Sequence, residues 1–153
     1  MDGRKSRSQI LIINDEQDQQ KALESILKSQ GYATQVAESG ERALERIGGG
    51  DIAVALIDLD PGEMSGLEVL TRLKQTAPDK ECILLVPPGS QEVTAEALKL
   101  GAFSYLHKPI VKERLLLVVR RALEKVDANQ ELAELRAFHE NIVQNMMEGV
   151  RSE

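Results

Sequence analysis

The chain alternates short, wholly apolar runs with longer stretches that are apolar on one side only. Ile10-Leu11-Ile12-Ile13 is rich in β-branched residues, reads as a strand and stops at Asn14-Asp15-Glu16. Ala22, Leu23, Ile26 and Leu27 then recur at helical spacing, predicting a helix over 17–29 that Gly31 ends. A second strand is predicted over 32–37, and Ser39 can cap a helix over 40–47 carrying Ala43, Leu44 and Ile47. Gly48-Gly49-Gly50 breaks the chain before a third apolar run, Ile52 to Ile57. That run shows no polar alternation, as expected of a strand buried on both faces, and it ends in Asp58. Ser65 can cap a helix bearing Leu67, Val69, Leu70 and Leu73, closed before Pro78. A fourth strand over 82–86 stops at Pro87-Pro88-Gly89, and a helix over 91–100 ends at Gly101. A short fifth strand, 104–107, runs into Lys108-Pro109, and a last helix begins near Lys112.

Strict alternation with short links means parallel strands joined by right-handed crossovers. The expected fold is α/β: a flavodoxin-like, doubly wound, five-stranded parallel sheet of order 2-1-3-4-5, with an extended C-terminal helix. Residues 1–8 read as a disordered tail, 9–127 as the domain and 128–153 as a continuation of the last helix. Beyond Asp127 no Gly or Pro occurs before Gly149, while Leu132, Leu135, Phe138, Ile142 and Met146 form a second apolar stripe among charged residues. Two readings stay open. The stripe folds back on its own domain, or it projects and pairs with a second copy in a parallel dimer; the second is preferred.

Composition narrows the picture. Hydrophobic residues make up 42% of the 153 residues and aromatics only 3%, so aliphatic side chains and alanine must build the core. No apolar run approaches the roughly 20 residues of a membrane span, and none follows the N-terminus as in a signal peptide. The single Cys82 lies in an apolar run and reads as a small buried hydrophobe. A cytoplasmic location is expected, and the net charge of −6 argues against general nucleic-acid binding.

In the expected sheet the carboxyl ends of all strands share one edge. Asn14 and Asp15 follow strand one, Asp58 ends strand three, Val86 ends strand four and Lys108 follows strand five. Strands one and three are neighbours at roughly 4.8 Å, so Asp15 and Asp58 can approach closely enough to repel. Two carboxylates and the nearby Asp60 backbone carbonyl make a hard-oxygen site suited to Mg²⁺. Lys108 stands two strands from Asp58, roughly 10 Å at the backbone, within reach of a lysine side chain. Such a set suits phosphoryl chemistry, where positioning and charge neutralisation do most of the catalysis. Each residue also has an ordinary explanation. Asp58 and Asp15 can be helix caps or solvated loop residues, Asp60 a turn former and Lys108 a surface lysine. Their joint occurrence at three strand ends is what favours chemistry.

These residues resemble the receiver domains of two-component response regulators. Ile10 to Glu16 is similar to the family's first strand and paired acids, and Leu56 to Leu70 to its phosphoacceptor strand and loop. Gly89 to Ile110, with Ala-Phe-Ser-Tyr-Leu-His-Lys-Pro-Ile at its end, is similar to the fourth helix, fifth strand and Lys-Pro. The resemblance covers about residues 8–127. It implies that Asp58 accepts phosphate from a histidine kinase or phosphotransfer protein and that Asp15, Asp58 and the Asp60 carbonyl hold Mg²⁺. By the same resemblance Lys108 contacts the phosphoryl group and Tyr105 is the switch aromatic. Such a domain is not an enzyme beyond its own phosphorylation and dephosphorylation.

Two departures stand out. Asn14 replaces the first of the paired acids, which weakens a metal-bound water there, and Val86 replaces the Ser or Thr that ends strand four in the family. Strand four lies between strands three and five, so Val86 is expected between Asp58 and Lys108. Its missing hydroxyl predicts a blunted or replaced switch. The rival reading is a pseudo-receiver, the same fold used for docking or dimerisation without phosphorylation. Residues 138–150 resemble the start of a PAS sensory domain, so the chain is expected to be the N-terminal part of a larger signalling protein.

Overall fold

The computed structural model describes residues 9–48, 51–59 and 65–151, with side chains as far as 143. Five strands alternate with five helices. They run β1 (Gln9–Ile13), α1 (Gln17–Ser29), β2 (Thr34–Ala37), α2 (Gly40–Ile47) and β3 (Ile52–Asp58), then α3 (Gly66–Thr76), β4 (Glu81–Val86), α4 (Gln91–Lys99), β5 (Ser104–His107) and α5 (Lys112–Arg151). The sheet is parallel throughout, in the order β2-β1-β3-β4-β5. This is the doubly wound, flavodoxin-like arrangement that the alternation predicts. The expected tail, 1–8, lies outside the described residues.

The pleat sorts the core into two layers. Leu11, Ile13, Ala55, Ile57, Leu84 and Val86 face α2, α3 and α4, where Ile47, Leu70 and Ala97 meet them. Ile10, Ile12, Leu56, Leu85 and Leu106 face α1 and α5, where Leu27, Leu115 and Val119 close over them. Every residue of β3 is buried, as its unbroken apolar run requires. Within β4, burial pushes the Cys82 thiol up to about 12, so it stays neutral and packs as a small hydrophobe.

Local chemistry sets the element ends. Ser39 and Ser65 cap α2 and α3, each Oγ accepting a backbone N–H at 3.2 Å, from Arg42 and Glu68. Gly31 and Gly101 leave α1 and α4 at φ 85° and 105°, where a side chain would be strained. Strand β2 starts at Thr34 rather than Tyr32, because Gly31 and Tyr32 still donate to the last carbonyls of α1. At the amino edge, Glu81 is buried at the start of β4. Lys125 of α5 lies 3.1 Å from it and Lys74 of α3 lies 3.7 Å away, one from each helical layer. Lys125 also sits over the Phe103 ring, 5.6 Å from its centre.

Helix α5 packs through the buried Leu115, Val119 and Ala122, with Leu116, Leu123 and Val126 half-buried against the same layer. The helix then runs on without a break, and residues 128–143 are all exposed. Leu135 and Phe138 are 65% and 63% exposed. Met146, counted in the expected second stripe, lies beyond the described side chains. Among the described residues no helix is long and apolar enough to cross a membrane.

Gly66 begins α3 against the end of β3. A Cβ there would stand 2.7 Å from the Asp58 carbonyl oxygen and 2.8 Å from Leu59 Cα. Backbone cannot yield as a side chain can, so Gly66→Ala is expected to destabilise the fold by about 1–3 kcal/mol. Urea denaturation measures this, and Gly48→Ala, where an added Cβ would meet no atom within 4 Å, is the matched control.

Candidate functional site

Asp58 is the last residue of the central strand and is 5% exposed. Register aligns it with Leu85 of β4, and Leu59 N–H donates to the Leu85 carbonyl at 2.9 Å as the chain leaves the sheet. Lys108 follows β5, where its own N–H donates to the Val86 carbonyl at 2.7 Å. Its side chain crosses above β4, and Nζ stands 2.6 Å from Asp58 Oδ1. This is an ion contact off the hydrogen-bonding direction: among the described residues the buried Oδ1 has no hydrogen-bond donor. Burying a carboxylate is costly unless a cation stands beside it, and the Lys108 ammonium takes that place.

Asn14 ends β1 and is 1% exposed. Its Oδ1 accepts from Glu16 N–H at 2.8 Å and its Nδ2 donates to Gln19 Oε1 at 2.8 Å. Each polar atom of this amide therefore already has a partner. Gln20, from the same turn of α1, donates to the Asn14 carbonyl. Gln19 completes a bridge: Nε2 donates to Glu16 Oε2 at 3.0 Å, while Oε1 also lies 3.5 Å from Lys108 Nζ. Sequence reasoning missed Gln19 and Gln20. The available signal was their place on the first turn of a helix that rises from the same sheet edge.

Asp15 is exposed and makes no hydrogen bond or ion pair among the described residues, so it does not cap α1. Asp60 lies outside the described residues. Val86 departs from its expected place. It is level with His107, not Asp58, and its side chain is buried in the α2/α3/α4 layer, where half-buried Tyr105 also packs. The pleat explains this: Asp58, two residues on from Leu56, belongs to the opposite face, and Lys108 meets Asp58 with no β4 side chain between them. The Tyr105 ring meets His107 edge-on, their centres 5.4 Å apart.

A family model described as the response regulator receiver domain matches residues 10–120. The nitrogen assimilation regulatory protein NtrX of Azorhizobium caulinodans is 30% identical over 129 residues, covering 83% of this chain and 28% of its own. The regulatory protein AtoC of Escherichia coli is 31% identical over 128 residues, covering 84% and 28%. The chain thus spans little more than a quarter of the curated relatives it matches. Among solved structures, the receiver domain of NtrX from Brucella abortus superposes with a TM-score of 0.72 at 29% identity. It covers 75% of this chain and 98% of that one. A receiver domain protein from Methanospirillum hungatei gives 0.74 at 25% identity, covering 80% and 98%.

The ion contact also predicts a stability pattern. Lys108→Met strands the Asp58 carboxylate and is expected to cost about 1–3 kcal/mol. Asp58→Asn in that background should restore most of the loss. Denaturation of the four proteins of this cycle tests the coupling, and additive effects would contradict it.

Proposed function

The chain belongs to the response regulator receiver domain family of two-component signalling, and on that premise we propose that Asp58 is its phosphoacceptor. The contact between Asp58 and Lys108 carries this reading, because it puts a nearly buried nucleophile and a phosphoryl-binding cation on one strand edge. An Asp58 carboxylate oxygen attacks the phosphorus of a phosphohistidine on a histidine kinase or phosphotransfer protein. The O–P bond forms as the P–N bond breaks, and the imidazole nitrogen keeps the electron pair. Lys108 shifts from the carboxylate onto the phosphoryl oxygens, offsetting charge where it gathers. Attack of water on the acyl phosphate restores Asp58, so no external substrate is turned over.

The residues fit a divalent cation. Among the described residues Asp58 Oδ1 has only the Lys108 contact and Asp15 on the neighbouring strand end has no partner, and both are hard oxygen ligands. Asp15, Asp58 and the Asp60 carbonyl are the proposed ligands. When bound, Mg²⁺ supplies neutralisation of the phosphoryl oxygens.

Val86 offers no hydroxyl to the phosphoryl group. It packs in the α2/α3/α4 layer beside Tyr105, so β4 ends without a donor that could link the phosphoryl group to that ring. A second reading, a pseudo-receiver working without phosphate, draws on Val86 and on the amide at Asn14. Incubation with acetyl phosphate and Mg²⁺ followed by intact mass measurement separates the two. The phosphoacceptor gains one phosphoryl group that Asp58→Ala does not gain, whereas the pseudo-receiver gains none.

The exposed Leu132, Leu135, Phe138 and Ile142 support a homodimer through α5. Light scattering of the whole chain should report a dimer, and of a chain ending at Asp127 a monomer. A monomer in both cases would remove the dimer from this proposal.

A further inference from the structure

The polar contacts above Asp58 converge on one residue that no part of the phosphoacceptor reading uses. We propose that Gln19 is a positioning residue that fixes the Lys108 ammonium over Asp58 and couples it to the Asn14 amide; the proposal rests on the phosphoacceptor reading and deepens it.

The orientation of the Gln19 amide follows from its neighbours. The Glu16 carboxylate can only accept, so the NH₂ end must face it, at 3.0 Å. The carbonyl end then faces two donors, Asn14 Nδ2 at 2.8 Å and Lys108 Nζ at 3.5 Å. Reversing the amide would set its NH₂ against both donors and its oxygen against the carboxylate. Gln19 is therefore pinned at both ends, with its oxygen turned toward the site.

The amide at position 14 belongs to the same device. A carboxylate there would face the Gln19 oxygen with a second acceptor, whereas the Asn14 NH₂ supplies the donor that this oxygen needs. Asn14 and Gln19 are thus a matched pair, and the replacement of an acid at position 14 is accompanied by a second anchor for the lysine. Lys108 has two oxygens within reach, one on Asp58 and one on Gln19. When phosphoryl oxygens arrive and Lys108 leaves the carboxylate, the Gln19 oxygen limits how far the ammonium can travel. Even a displacement of a charged contact by less than about 1 Å slows a positioned reaction.

The test uses the whole chain. Asp58 labelling by acetyl phosphate with Mg²⁺ is followed by mass in wild type, Gln19→Met, Lys108→Met and the double variant. Gln19→Met keeps the length of the side chain and removes its acceptor. The labelling rate should fall about three- to tenfold in Gln19→Met. It should not change further when Gln19→Met is added to Lys108→Met. A second readout needs no phosphate: the Asn14 side-chain amide resonance should move on Lys108→Met when Gln19 is present and stay still when Met replaces it. Normal labelling of the wild type with an equal rate in Gln19→Met overturns the proposal and leaves the phosphoacceptor reading standing. So does an effect of Gln19→Met that persists without Lys108. A wild type that takes no phosphate overturns the phosphoacceptor reading, and with it the role of Gln19 in labelling. The resonance comparison then decides whether the bridge itself exists.

Discussion

Burial on both faces of β3 is the constraint on which the rest of the molecule depends. Seven consecutive residues are buried, so the strand must be roofed by helices on each side. Two helices cover one face and three the other. The same burial makes the strand's last residue the chemically eventful one. A carboxylate in that position cannot be left alone in a low-dielectric surround, and the nearest remedy is a cation from another strand end. Lys108 supplies it across the full width of β4.

Much of this was legible in the chain because apolar periodicity is a strong signal when the core is aliphatic. Alternating runs predicted ten elements and the order of the sheet, and serine caps marked two helix starts. The misplacements have physical causes. Tyr32 looks like strand by composition, yet its N–H is spent closing the turn after α1. Glu81 looks like loop, yet two lysines let it enter the sheet buried. On α5 the run Leu115-Leu116-Leu117 leaves several apolar faces to choose from. The seat of the helix on the sheet buries Leu115 and Ala122 fully and leaves Leu116 and Leu123 half-buried beside them.

The site was legible to the depth of the strand ends and no further. Asp58 and Lys108 are readable because topology alone brings those positions to one edge. Val86 was misjudged because strand order was considered without the pleat, and one residue along a strand changes the face. Gln19 was invisible because a glutamine in the first turn of a helix is ordinary. Its part depends on the paths of three other side chains.

Helix α5 is rooted on the sheet through Leu115, Val119 and Ala122 and tied by Lys125 to Glu81, while residues 128–143 are exposed. It works as a lever with a short arm on the core and a long arm outside. At 1.5 Å per residue, the arm from Asp127 to Arg151 is about 36 Å long. A tilt of about 5° at the root, well under one side chain's width of movement, carries the far end about 3 Å. The far end moves by geometry alone in such a tilt, without any rearrangement inside the sheet.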